Sequence, residues 1–81
     1  MLTRFHVGAF RIVVYLNDRS PPHVHVIGAG GHAKFALGRT PDDVMLLETV
    51  GLSKSSLRRI AAAIVDRHLD CRAGWRKHHG N

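Results

Sequence analysis

Short alternating apolar–polar segments and one continuous apolar run, Val44 to Leu47, occupy the first fifty positions, and the pattern switches to a helical period from Ser53 onward. Phe10-Arg11-Ile12-Val13-Val14-Tyr15-Leu16 is β-branched and aromatic, which predicts a strand over about 10–16. Phe10, Ile12, Val14 and Leu16 then share one face, with Arg11, Val13 and Tyr15 on the other. Gly8, just ahead of it, marks a bend or bulge. Asn17 to Pro22 reads as a turn, because Asx side chains bond their own backbone and two prolines fix φ and remove two amide donors.

A second strand is expected over 23–27 and a third over 32–37, joined by the glycine-rich Gly28-Ala29-Gly30-Gly31 hairpin. With Ala29-Gly30 as a two-residue turn, Ile27 faces His32, His25 faces Lys34 and His23 faces Ala36. Val24, Val26, Ala33, Phe35 and Leu37 then gather on the opposite, core-forming face. A slip of one residue would scatter that set, so the apolar pattern itself selects the register.

After the loop Gly38 to Asp43, the run Val44-Met45-Leu46-Leu47-Glu48-Thr49 predicts a strand over 44–49, with a short helix starting at Pro41-Asp42 as the alternative. Helical spacing follows over 54–77. Ser53 suits the N-cap, and Leu52 and Leu57 occupy the staple positions. Leu57, Ile60, Ala61, Ile64, His68, Cys71 and Trp75 line one stripe, opposite Arg58, Arg59, Asp66, Asp70, Arg76 and Lys77. Ala73-Gly74 predicts a kink or a second helix beyond His68, and the tail from Lys77 is expected to fray. The fold class is therefore α+β: a single domain over 1–81, with a three- to four-stranded antiparallel sheet followed by a C-terminal amphipathic helix, kinked or split in two, on its apolar face.

The 81 residues bury only about 60% of their unfolded surface, which leaves room for a partner subunit or a homo-oligomer. One cysteine, Cys71, excludes an intrachain disulfide and suits a reducing, cytoplasmic setting. No apolar run approaches the roughly 18 residues that span a membrane, and the first dozen residues lack a signal-peptide pattern. The formal charge is +6. Its distribution is uneven: residues 1–53 carry five basic and four acidic side chains, residues 54–81 seven basic against Asp66 and Asp70. An anionic partner is thus expected to meet the C-terminal half, where Arg58, Arg59, Arg76 and Lys77 are candidate nucleic-acid contacts.

Chemistry concentrates at Pro21-Pro22-His23-Val24-His25. In an extended chain, histidines at i and i+2 point to one side, about 6.6–6.8 Å apart. Arg11, Tyr15, His23, His25 and Lys34 make a candidate catalytic or RNA-contacting set, with histidine as general base toward a 2′-hydroxyl and a cation stabilising phosphorane charge. That set requires no cofactor. An alternative reading takes His23, His25 and His32 as part of a shell for one zinc, iron or nickel ion, with Asp18 as a carboxylate, although Lys34 opposite His25 opposes a bound cation. In a third reading the histidines are structural and fix the start of the strand, so that the domain is an interaction module without catalysis. His68 and Cys71 read as core residues, and Trp75 as a lid on the core edge.

Arg4-Phe5, Gly8, Leu16-Asn17-Asp18, Pro21-Pro22-His23-Val24-His25 and the late Trp75 together resemble a bacterial family of small proteins designated domain of unknown function 4160. The resemblance covers nearly the whole chain. It implies a compact antiparallel sheet followed by helices, and a place in a toxin–antitoxin-like pair beside a small cognate protein, with no assigned activity.

Overall fold

The computed structural model describes the backbone of residues 2–14 and 22–79, with side chains at all of these except 2, 74 and 76–79. Tyr15, Asp18 and the turn through Pro21 lie outside the described residues, as do the side chains of Arg76 and Lys77. Among the described residues five strands form one antiparallel sheet in chain order: β1 Leu2–Val7, β2 Phe10–Val14, β3 His23–Ile27, β4 His32–Leu37 and β5 Val44–Val50. Two helices follow, α1 Lys54–Asp66 and α2 His68–His79.

The sheet has one strand more than expected, and β1 is the addition. Its register shifts between Thr3 and Phe5, so Arg4 is an extra residue and the alternation that would advertise a strand is broken there. Gly8, expected as a bend before the first strand, is instead the first turn residue of a hairpin, since Val7 pairs with Phe10. It takes φ +58°, and among the described residues none other than glycine has positive φ, which fits a type II′ turn over Gly8-Ala9. The β3–β4 hairpin has the expected register throughout, from His23 opposite Ala36 to Ile27 opposite His32. The loop before β5 contains a single 3-10 turn, Pro41–Asp43, rather than a longer helix, and β5 is a strand as read. Thr40 is extended, as a residue before proline prefers.

α1 starts where the capping logic puts it: the Ser53 side chain accepts from the Ser56 amide at 3.1 Å. The helical break falls at Arg67, earlier than Ala73-Gly74. Helix continues through Ala73-Gly74 because Cys71 and Trp75, on either side, are both fully buried. That burial outweighs the roughly 1 kcal/mol that glycine costs a helix interior.

One face of the sheet carries Phe5, Ile12, Val14, Val24, Val26, Ala33, Phe35 and Leu37, and Ile60, Ile64, Cys71 and Trp75 close over them. The stripe read from the sequence thus continues across the break. α2 is fastened to both ends of the sheet. Arg4 of β1 pairs with Asp70 at 2.8 Å, and His68 Nε2 and Arg72 Nη1 both donate to the Gly38 carbonyl just past β4, at 2.9 and 3.0 Å. Because that carbonyl only accepts, His68 carries its proton on Nε2. Arg67 lies over the Phe5 ring, 4.8 Å from its centroid, which ties the helix junction to β1.

Candidate functional site

The registers of the four ladders place every outward side chain of the sheet. One row across the strands reads His6, Arg11, Ile27, His32 and Val50; the next reads Thr3, Val13, His25, Lys34 and Glu48. His23, Ala36 and Met45 follow in a third. Directly paired side chains lie about 4.5–5.5 Å apart in such a ladder. Arg11, His25 and Lys34 therefore share one face with His32, and it is the face opposite the main helical contact.

The expected set is not uniformly presented. His25, Arg11 and Lys34 are half-buried and Val13, in the same row as His25, is fully buried, so the face is open at His6, His32 and Glu48 and covered at Val13. His23 is a correction to the reading in which both histidines point outward: it is 7% exposed, and its ring centroid lies 5.0 Å from that of Trp75. Its pairing with Ala36 keeps it in the outward rows, and the contact with Trp75 covers it there. His25 meets His23 edge-on at 5.1 Å, so the three rings form a short chain from the open face into the core. The Pro22 carbonyl accepts from the Leu37 amide at 2.9 Å, which extends the ladder by one bond and fixes where His23 begins.

His32 stands beside Ile27, diagonal to His25, and is not drawn into a cluster with His23 and His25. Among the described residues no group of three or more His, Cys, Asp or Glu side chains is arranged to hold a metal ion. Arg58 and Arg59 are exposed on α1, away from the histidine face. A Cβ at Gly8 would come within 2.7 Å of the Arg59 guanidinium, so Arg59 lies over the β1–β2 turn. Cys71 is fully buried, and burial, followed by the neighbouring Asp70 carboxylate, pushes its thiol up to about 12; Arg4 and Arg67 pull weakly the other way. It is no nucleophile at neutral pH.

Sequence reasoning missed two residues of the open face. His6 joins Arg11 there only because β1 exists, and the Arg4 bulge conceals β1. Glu48 opposes Lys34 only through the register of β5, which itself shifts between Lys34 and Phe35. No helix of the described residues is long and apolar enough to cross a membrane.

A single antiparallel sheet in simple meander order, backed by two C-terminal helices and carrying a cationic, histidine-rich outer face, defines a small α+β domain. The chain belongs to the family described as Domain of unknown function (DUF4160), which matches residues 9–76. The matched span takes in the Pro-Pro-His-Val-His stretch and reaches just past Trp75. No curated protein matches, and no solved structure matches.

Proposed function

We propose that this chain is a binding component of a toxin–antitoxin-like pair, and that single-stranded RNA meets the open face of its sheet. The carrying observation is the alignment of His6, Arg11, His25, His32 and Lys34 in two adjacent rows, with Glu48 the one carboxylate among them. Fixed cations on a sheet engage a phosphate backbone without induced fit, and imidazole rings offer flat surfaces for bases. The overall charge of +6 favours encounter with such a polyanion, although residues 54–81, with seven basic and two acidic side chains, carry most of it, so the charge alone does not select the sheet face. Binding is better supported than catalysis, because His23, the nearer candidate base to a Pro-fixed backbone, is buried against Trp75.

The test is the salt dependence of binding to a short oligoribonucleotide. For single strands, log K falls with log salt with slope about −0.7 for each phosphate neutralised. Arg11→Ala and Lys34→Ala should each flatten the slope by about 0.7. Absence of binding at low salt, or slopes unchanged in both variants, removes the RNA reading.

A second reading concerns the cognate protein and rests on β5. This edge strand leaves Met45 63%, Leu46 41%, Leu47 47% and Val50 60% exposed. An extended segment of a partner could add to such an edge by main-chain hydrogen bonds, with these side chains supplying apolar contact. Co-expression with the product of the neighbouring gene tests it: Leu47→Lys should abolish co-purification, and unaffected co-purification removes the edge from the account.

A further inference from the structure

We propose that the cavity between the Gly38-Arg39 loop and the first turns of α2 binds a phosphate monoester carried on a nucleotide. The cavity has a volume of ≈370 Å³ and is lined by Arg39, His68, Leu69, Arg72 and Ala73. That is the size of a small-molecule site. It lies off the open sheet face, so the inference stands apart from the RNA reading.

Arg72 carries the argument. Its Nη1 donates to the Leu37 and Gly38 carbonyls at 3.3 and 3.0 Å, which locks the plane of the guanidinium. Of the five N–H donors of an arginine, those on Nε and Nη2 remain for whatever enters the cavity. A fork held in this way has already lost its rotamer freedom, and its geometry suits the paired oxygens of a phosphate. Arg39, exposed on the adjoining loop, adds a second cation, and none of the described residues that line the cavity carries a carboxylate.

The rest of the lining selects what the phosphate is attached to. His68 is 2% exposed and donates from Nε2 to the Gly38 carbonyl, which holds its ring as one wall of the cavity beside Arg72. Leu69 is 83% exposed and sits one helical turn from Ala73, which gives an apolar wall suited to a base. A neighbouring cavity of ≈380 Å³ across Leu69 is lined by Asp66 and Asp70, and those carboxylates disfavour an anion there.

The experiment titrates the full chain with adenosine 5′-monophosphate, adenosine and inorganic phosphate, and follows amide shifts by NMR. The nucleotide should shift Gly38, Arg39 and Leu69 to Ala73 saturably, adenosine should not, and phosphate should act more weakly at the same amides. Arg39→Glu should weaken nucleotide binding at least tenfold with an unchanged melting temperature, since Arg39 is exposed. Arg72→Lys, which keeps the charge and loses the fork, should also weaken it. Oligoribonucleotides ending in 5′-phosphate or 5′-hydroxyl distinguish the sources: tighter binding of the phosphorylated strand than of the mononucleotide assigns the site to an RNA end, and equal binding assigns it to a free nucleotide. No shifts at millimolar nucleotide, equal shifts with adenosine, or full binding by Arg39→Glu would overturn the proposal. Nucleotide binding that survives in Arg11→Ala and Lys34→Ala supports it, and its loss in those variants moves the phosphate to the sheet face and overturns it.

Discussion

Replacing Trp75 by alanine tests whether the second half of α2 belongs to the core. The side chain is 1% exposed, contacts the apolar cluster and packs against the His23 ring at 5.0 Å. Truncating a buried tryptophan costs about 3–5 kcal/mol from lost transfer energy and the cavity left behind. A domain of this length has roughly 4–12 kcal/mol in total. The loss is therefore about a quarter of the stability at least, and at the lower end of that range Trp75→Ala does not fold. Urea unfolding followed by circular dichroism measures it, with Leu69→Ala as the control, since Leu69 is 83% exposed and its replacement should cost no more than about 0.5 kcal/mol. A double-mutant cycle with His23→Ala should return a coupling of about 0.5–1.5 kcal/mol for the ring contact. Equal, small losses in Trp75→Ala and Leu69→Ala would mean that α2 beyond Cys71 is not docked, and the placement of His23 would fall with it.

Further outcomes follow from the same packing. Cys71 should resist thiol reagents in the native state at pH 8 and react only on unfolding. Burial pushes the folded thiol from its ordinary 9.0 up to about 12, so above pH 9 the unfolded chain gives up a proton that the folded one retains. Stability should thus be unaffected by this thiol below pH 9 and fall between pH 9 and 12 by about 1.4 kcal/mol per unit, a slope absent from Cys71→Ala, as pH-dependent urea unfolding would measure. Gly51 has φ +77°, and a Cβ there would collide with the Gly30 carbonyl oxygen. Gly51→Ala should therefore lower the melting temperature, while Gly30→Ala, which meets nothing within 4 Å, should leave it level or raise it. Leu47→Lys, on the exposed edge strand, should raise the concentration at which the protein precipitates, because a charged edge blocks strand-to-strand association.

The hairpin from His23 to Leu37 was readable because its apolar positions satisfy only one register, and the helical stripe because Leu57 through Trp75 keep one phase across the Arg67 break. β1 was hidden by the Arg4 bulge, which disrupts the two-residue period. The break itself has no proline or glycine to announce it, whereas Gly74, which predicts one, is overridden by its buried neighbours. Site residues fared by the same rule. The shared face of Arg11, His25 and Lys34 follows from alternation alone. The burial of His23 depends on Trp75, 52 positions away in the chain, and the fixing of Arg72 depends on the carbonyls at the end of β4. Long-range contacts of that kind leave no local pattern.

The central claim, that the open sheet face is where the chain meets RNA, is tested most directly by mapping amide shifts on titration with a short 5′-hydroxyl oligoribonucleotide at low salt. The account predicts shifts concentrated at His6, Arg11, His25, His32 and Lys34, diminishing as salt is raised. Shifts confined to Arg58, Arg59 and the rest of α1, with the sheet rows unmoved, would contradict it.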